Sequence, residues 1–301
     1  MSLKILHRRP ATPLENFAQL RETCRKAGFG PPCHKALLNL VKSSLKALHA
    51  AERADLSSKV AGKKYYEFRR RGFHSRCINE GIFSDDANFV LDCLDSLLTN
   101  GISSFPPPDV TKALYSAAIS FCASVDLVKK GDQKTPGTFF EYLCAPILQT
   151  FLGVAPSRSL EVLNLDLKTR LPTDFIFDLG ARKPKFHVPV KTSTRERIIQ
   201  VFAHQRVLDG VYGSGRFLAM PMVMAETKTD AKTNEVTEIC LPDQWRLYHL
   251  HIARFWKVVY FDLPAGYEKL SAEFPPIPVL DVGSFFAEDG PLRELISLHY
   301  G

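Results

Sequence analysis

The residues best suited to chemistry lie in one short segment, Lys191–Arg197 (Lys-Thr-Ser-Thr-Arg-Glu-Arg). The segment follows an apolar run, Phe186–Val190, and precedes an amphipathic one, Ile198–Leu208. A lysine at a strand end can contact a phosphate, and Arg-Glu-Arg at a helix start presents the donors and acceptors that base edges require. The pattern therefore predicts phosphate chemistry beside base recognition.

Two carboxylates complete the candidate catalytic set. Asp174 begins a predicted strand, and Glu141 lies on the predicted helix that precedes it. Phosphodiester hydrolysis needs a divalent cation, and Mg²⁺ prefers carboxylate oxygens. The strands that carry Asp174 and Lys191 are joined by a single turn at 180–184, so we expect both side chains at one end of the sheet. Asp174 and Glu141 are the expected Mg²⁺ ligands.

Each of these residues also has an ordinary structural interpretation. Asp174 can face solvent at a strand start, with Asp178 on the same face. Lys191 can be a plain strand-end charge, and Glu141 can complement the dipole of a helix start. The order of Glu, Asp and Lys across helix, strand and strand favours the catalytic interpretation.

The Arg-Glu-Arg segment carries the candidate base readout. Ser193 and Glu196 have the spacing of a capping box, which places Arg195, Glu196 and Arg197 in the first helical turn. An arginine can donate to guanine O6 and N7, and a glutamate can accept from cytosine N4. A half-site of adjacent G·C pairs would suit this set. The alternative is a solvated charge cluster on a helix.

A second basic segment, Lys63–Gly72, interleaves cations with aromatic residues. Such a segment can hold phosphates while its rings stack on bases. Tyr65 and Tyr66 are candidates to stack on an extruded base. The alternative is a basic helix face whose tyrosines belong to the core. The expected phosphate contacts are Lys63, Lys64, Arg69, Arg70 and Arg71.

Hydrophobic periodicity places these motifs in an α/β protein. We expect a helical N-terminal region over residues 1–130, serving DNA contact or dimerisation, and a mixed sheet flanked by helices over 131–301, or both in one compact domain. A short helix is expected near Leu292–Leu298. The predicted helices are Pro13–Lys26, His34–Ala51, Asp85–Leu98, Val110–Val128 and Gly137–Leu152. The predicted strands are Leu160–Leu165, Asp174–Leu179, Phe186–Lys191, Phe217–Glu226, Val236–Leu241 and Lys257–Phe261.

Composition supports a folded protein with a polyanionic partner. The 301 residues are 45% hydrophobic and carry a net charge of +7, which favours nucleic-acid binding without proving it. The seven cysteines are scattered without a CxxC pair, so zinc ligation is unsupported and a reducing cytoplasm is expected. The N-terminus lacks the apolar stretch of a signal peptide, and no apolar run is long enough to span a membrane.

The sequence resembles the PD-(D/E)XK nucleases, and within them the type II restriction endonucleases of the EcoRII and NgoMIV kind. The resemblance rests on Pro172-Thr-Asp174, on Val190-Lys191 and on Arg195-Glu196-Arg197, within about 141–208. It implies a Mg²⁺-dependent homodimer of a bacterial restriction-modification system that cuts both strands of double-stranded DNA at a CCGG or CCNGG core and leaves 5′ overhangs. Asp174 would bind metal, Lys191 would act on the water or phosphate, and the Arg-Glu-Arg side chains would contact guanines and cytosines. Some members flip the central base pair.

Two positions depart from that family pattern. Pro189 stands two residues before the lysine, where most members have an acid, and His204 stands near the helix position to which the EcoRII-like members move it. His204 can hold a water or act as a base, while Glu141 or Asp178 can supply the missing charge.

Two other functions remain open. A sequence-specific DNA-binding protein on a decayed nuclease scaffold would bind without cutting. A repair nuclease would select DNA by shape, and the Arg-Glu-Arg segment argues against it because shape recognition needs no base-edge donors.

Overall fold

The structure is a computed structural model that describes residues 11–101, 104–164, 167–181 and 183–291, without the side chains of 163–164, 167–168 and 196. The predicted C-terminal helix near Leu292–Leu298 lies outside these ranges. The α-helices are α1 (Pro13–Ala27), α2 (Pro31–His49), α3 (Ala87–Asn100), α4 (Pro107–Asp126), α5 (Lys134–Leu152), α6 (Ile198–Tyr212), α7 (Pro242–His251) and α8 (Val282–Phe285).

The strands divide between the N-terminal region and the second half of the chain. The first four are β1 (Glu52–Ser58), β2 (Tyr65–Arg70), β3 (Phe73–His74) and β4 (Ile78–Asn79). The others are β5 (Ser157–Asn164), β6 (Leu167–Asp178), β7 (Lys185–Val188), β8 (Val190–Lys191), β9 (Phe217–Ala219), β10 (Met222–Val223), β11 (Thr227–Thr229), β12 (Glu235–Glu238), β13 (Val258–Tyr260) and β14 (Val279–Asp281).

Helix α4 is the centre of the helical layer. Its side chains are buried almost continuously from Val110 to Val125, as expected of a helix that is apolar on all sides. It packs against α2, α3, α5 and α8. Gly283 permits the contact with α8, because a Cβ there would lie 1.8 Å from the carbonyl oxygen of Pro107. The same hydrophobic cluster includes sheet residues such as Phe177, so the helices and the sheet share a core. The domain boundary near 130 stays a prediction.

The helical layer also carries a disulfide that the cysteine spacing did not predict. Cys24 at the end of α1 and Cys33 at the start of α2 are joined. The two helices are connected by only Gly28–Gly30, so the loop between them brings the sulfurs together. The five other cysteines form no disulfide within the described residues, and four of them are buried.

The central sheet bends at two prolines. Strands β5, β6, β7 and β9 are neighbours in that order, and β8, β10, β13 and β14 form the continuation. Pro189 separates β7 from β8, and Pro221 separates β9 from β10. Hydrogen bonds cross the bend, since Met220 N–H donates to His187 O and Met222 N–H donates to Pro189 O. The predicted mixed sheet flanked by helices is confirmed, as a curled sheet of two four-stranded parts that β7–β8 and β9–β10 connect across the bend.

The N-terminal region contains the expected helices, but it also contains four strands that were not predicted. Strands β1 to β4 form a second sheet in which β1 pairs in parallel with β12, from the other half of the chain. The segment 63–72, expected as a helix face, contains β2. Four consecutive buried residues, Tyr65–Phe68, fit a strand covered on both faces rather than the one-sided burial of a surface helix.

Lys63 lies in a buried ion cluster and not on a DNA-facing surface. Its side chain is 15% exposed. Its Nζ donates to Glu238 Oε1 at 2.7 Å and to Asp262 Oδ1 at 2.8 Å, and Asn79 Nδ2 donates to the same Asp262 oxygen at 3.0 Å. The prediction of a phosphate contact for Lys63 was therefore wrong, because both carboxylates need this cation inside the fold.

The two tyrosines of the basic segment are core residues. Tyr65 and Tyr66 are 2% and 3% exposed, and the ring of Tyr66 packs edge-on against Phe68 and Phe83. Neither ring can stack on an extruded base without unfolding the strand, so the structure supports the alternative interpretation of these residues.

No described helix is both long and apolar enough to cross a bilayer.

The ion cluster generates a stability prediction. Lys63→Ala leaves Glu238 and Asp262 buried without a cation, and removing one partner of a buried pair costs about 3 kcal/mol. Urea unfolding should show this loss, whereas Lys64→Ala, at the exposed neighbouring position, should change the free energy of unfolding by less than about 0.5 kcal/mol. Equal effects for both variants would contradict the structural role of Lys63.

Candidate functional site

Asp174 and Lys191 are in direct contact at the bend of the sheet. Asp174 Oδ2 accepts a hydrogen bond from Lys191 Nζ at 2.6 Å and another from the backbone N–H of Val190 at 2.8 Å. The antiparallel pairing of β6 and β7 brings the two chain segments together. Pro189 interrupts the strand between β7 and β8. The Val190 N–H therefore donates to the Asp174 carboxylate instead of to a backbone carbonyl of a neighbouring strand. The sheet thus fixes the carboxylate and ammonium groups together.

Glu141 approaches the same place from α5. It accepts a hydrogen bond from Arg158 Nη1 at 2.8 Å, and the Arg158 guanidinium lies 4.9 Å from the ring centroid of Phe175. Burial raises the pKa of Glu141 above its ordinary value, although Arg158 opposes that shift. Asp174 and Lys191 also act on this pKa through their charges, so the three predicted catalytic residues share one electrostatic environment.

Glu141 and Lys191 line a cleft of about 380 Å³ beside α6. The residues that α6 and the preceding turn contribute to this cleft are Gln200 and Arg197. Gln200 was not among the predicted site residues, although its position three residues after Arg197 puts both on one helical face. An amide at this position can orient a water or a phosphate oxygen, but it adds no charge.

His204 lies near the Asp174–Lys191 pair without lining the cleft. Burial, and secondarily the charge of Lys191, lowers the pKa of His204. Its ring centroid lies 6.4 Å from that of His187. A lowered pKa keeps the imidazole neutral at pH 7 and able to accept a proton. The other proposed compensating acid, Asp178, is engaged elsewhere: it accepts from Lys185 Nζ at 2.6 Å at the turn between β6 and β7.

The Arg195–Arg197 segment forms a 3-10 turn that leads into α6. The capping box predicted from Ser193 is absent, since α6 begins at Ile198 without a side-chain cap. Instead Glu226, from an adjacent part of the sheet, accepts hydrogen bonds from Thr194 and Arg195. The local pattern was therefore misleading, because a buried carboxylate distant in sequence takes the role expected of the Ser193 hydroxyl.

The turn lies between two clefts. Gln133, Thr192 and Ser193 line both of them. The second cleft, of about 350 Å³, is lined by Arg195 on one side and by Lys228 of β11 on another. Arg195 Nε is buried and has no hydrogen-bond partner within the part of the chain that the structure describes. The two clefts and the turn form a basic groove that we call the recognition groove.

The remaining predicted DNA contacts are near the surface. Lys64, Arg70 and Arg71 are exposed, and Arg69 donates to Glu67 at 2.7 Å. Arg197 is exposed at the recognition groove, and the side chain of Glu196 lies outside the described residues. The contacts of these residues with DNA stay predictions.

The donor chemistry at the bend suits Mg²⁺. Within the described ranges, no group of three or more His, Cys, Asp or Glu side chains is arranged to hold a metal ion. Asp174 and Glu141 nevertheless supply two carboxylates, and Mg²⁺ commonly binds one or two carboxylates while substrate phosphates and waters complete its shell. The residues present therefore fit a Mg²⁺ site that the substrate completes.

Comparison with known proteins identifies the fold. No family model matches this sequence, and no curated protein does. The chain superposes on the crystal structure of the Type IIP restriction endonuclease Kpn2I with a TM-score of 0.77 and 24% identity, over 95% of this chain and 97% of that one. A complex of the restriction endonuclease PspGI with substrate DNA gives a TM-score of 0.42 and 13% identity, over 70% of this chain and 93% of that one. This chain thus has the restriction-endonuclease fold of Kpn2I.

His187 in β7 makes stability near the site depend on pH. Burial lowers its pKa to about 4, even though its ring is hydrogen-bonded to Gln205. The unfolded chain therefore binds a proton near pH 6.5 and the folded chain only near pH 4, so stability must fall as the pH falls through this window. The contribution is about 3 kcal/mol at most. Urea unfolding of His187→Gln should show a shallower loss between pH 6.5 and 4 than the unmodified protein, and identical slopes would contradict the assignment.

Proposed function

We propose that this chain is a type II restriction endonuclease that cleaves both strands of DNA at a palindromic CCGG or CCNGG-type site and leaves 5′ overhangs. The observation that carries the proposal is the Asp174–Lys191 contact at the bend of the sheet, directly before the Arg195–Arg197 turn. The likeness to the Type IIP restriction endonuclease Kpn2I along almost the entire chain supports it.

Asp174 and Glu141 would hold the Mg²⁺ ion of the proposed site. The ion would polarise the scissile phosphate and offset its developing charge. Lys191 Nζ donates to Asp174 Oδ2, so it can exchange this carboxylate partner for a phosphate oxygen when DNA binds. His204, with its lowered pKa, can accept a proton from a water molecule near this pair.

The recognition groove would read the bases. Among the described residues the buried Arg195 Nε has no acceptor, and guanine O6 or N7 would supply one. Arg197 is exposed at the same edge, and Glu196 would accept from cytosine N4. A palindromic site requires a two-fold symmetric reader, so we propose a homodimer that works in the bacterial cytoplasm beside a matching methyltransferase. Base flipping is left out of the proposal, because Tyr65 and Tyr66 are buried.

A second function is favoured by one specific observation. The α6 position that carries an acid in the resembling enzymes has His204 and Gln205 here, and Gln205 is buried with its amide bonded to Asp209 and Phe217. A site with too little negative charge would bind DNA specifically without cutting it. Plasmid digestion separates the two: discrete fragments with Mg²⁺ establish the nuclease, whereas salt-sensitive retention without cleavage establishes the binding protein.

Lys191→Ala tests the catalytic pair. We expect it to abolish cleavage and to keep binding near the level of the unmodified protein, because it removes the charge next to the phosphate and leaves Arg195 and Arg197 in place. Gel-shift titration and plasmid digestion measure the two properties. Lys185→Ala is the matched control, since Lys185 pairs with Asp178 at the far end of the same turn. Full cleavage by Lys191→Ala would exclude the proposed site.

Arg195→Ala tests the readout. A bidentate arginine contact to guanine contributes about 1–3 kcal/mol of discrimination, so specific binding should weaken by roughly this amount and base preference should relax at one position. Binding competition against single-base variants of the mapped site measures the effect. Arg25→Ala, which breaks a surface pair with Glu22 on α1, should leave both affinity and preference unchanged. Uniform weakening on all sequences would assign Arg195 to the phosphates instead.

A further inference from the structure

We propose that Glu226 is the positioning residue of the recognition turn, and that its buried carboxylate sets how strictly the protein selects its DNA sequence. The inference rests on the proposed function and deepens it. Glu226 itself does not line the recognition groove; it acts through the backbone that presents Arg195 and its neighbours. In the sequence, Glu226 is only the last residue of the predicted strand Phe217–Glu226.

The carboxylate of Glu226 is committed to the turn. It is 1% exposed. Its oxygens accept the Thr194 N–H at 2.9 and 3.1 Å and the Arg195 N–H at 3.3 Å, and the Thr194 hydroxyl donates a further, short hydrogen bond. The Tyr260 hydroxyl donates at 3.1 Å from β13. Three of these four donor groups belong to Thr194 and Arg195, so most of the hydrogen bonds to this carboxylate come from the turn.

Stability alone does not account for a carboxylate at this place. Within the described residues no lysine or arginine side chain pairs with Glu226, and burial raises its pKa. A buried carboxylate without a cation pays a desolvation penalty that a neutral residue of similar size avoids. The penalty is offset here by donors that all converge on one carboxylate, two of them backbone N–H groups that would otherwise be buried and unpaired.

The backbone that Glu226 holds is strained. Arg195 has φ of +43°, in the left-handed region that costs a non-glycine residue on the order of 1 kcal/mol. Such a conformation persists only where the surroundings over-determine it. Glu226 accepts hydrogen bonds from two consecutive backbone N–H groups, those of Thr194 and Arg195, and Arg197 N–H closes the turn on Thr194 O at 2.9 Å. The conformation directs the Arg195 side chain into the recognition groove.

Discrimination between bases depends on this geometry more strongly than the overall affinity for DNA does. Hydrogen bonds to base edges require placement within about 0.5 Å, whereas a phosphate attracts a guanidinium over a wide range of positions. A loosened turn would still bring positive charge to DNA. It would lose the fixed angle that separates guanine from the other bases.

Glu226→Gln tests the inference, because it keeps the shape and replaces one acceptor oxygen by an amide donor facing other donors. The measurement is the ratio of cleavage rates at the mapped site and at sites with one substituted base pair. We expect the ratio to fall at least tenfold, with a smaller fall for Thr194→Val, which removes the hydroxyl and keeps the N–H. Thr194→Val also serves if Glu226→Gln does not fold.

Asp262→Asn is the matched control, because Asp262 is also a buried carboxylate, 2% exposed, but belongs to the Lys63 cluster. It should lower the melting temperature and leave the ratio unchanged. A folded Glu226→Gln or Thr194→Val with the unmodified ratio would overturn the inference, as would an equal fall in Asp262→Asn. If the unmodified protein neither cuts nor selects DNA, the proposed function itself fails, an outcome distinct from loss of the positioning role.

Discussion

The site depends on one backbone group, the N–H of Val190. A proline before it breaks β7 from β8, and the bend leaves this donor to be satisfied by the Asp174 carboxylate at 2.8 Å. Buried backbone donors are rarely left unpaired, so the bend determines where the Asp174 side chain lies. Lys191, the next residue, then meets the same oxygen. Pro221 repeats the break on the neighbouring strand, which lets the sheet curl at this level without losing its hydrogen bonds.

The charged side chains around the bend form ion pairs with one another. Lys191 neutralises Asp174, and Arg158 neutralises Glu141. A divalent cation and a phosphodiester would exchange these partners, the cation taking the two carboxylates and the phosphate taking the two basic side chains. Such an exchange conserves the number of charge contacts, so the desolvation of each group is offset in both states. On the proposed function, cation and DNA would therefore each favour binding of the other.

The features that depend on residues close together in the sequence were predicted correctly. The helices follow from apolar spacing, and the Asp174–Lys191 contact follows from two strands joined by one turn. The wrong predictions concern contacts between residues that are far apart in the sequence. The partners of Lys63 are 175 and 199 residues away, and β1 (Glu-Arg-Ala-Asp-Leu-Ser-Ser) lacks the strong apolar alternation that marks a strand. The basic segment with its tyrosines looked like a DNA-binding surface because composition does not reveal which side chains a distant strand will cover.

The recognition turn shows why a capping motif predicted from local spacing can fail while the backbone N–H groups of the turn still find an acceptor. Ser193 and Glu196 have capping-box spacing, but Thr194 N–H and Arg195 N–H already have a better acceptor in Glu226, a full carboxylate in a buried setting where hydrogen bonds are stronger. Glu226 binds the turn through its backbone N–H groups and not through the Arg195 side chain. Arg195 Nε accordingly has no partner among the described residues, and Arg197 faces solvent. The backbone N–H groups of Thr194 and Arg195 are hydrogen-bonded within the fold. The side chains of Arg195 and Arg197 are therefore available to a ligand.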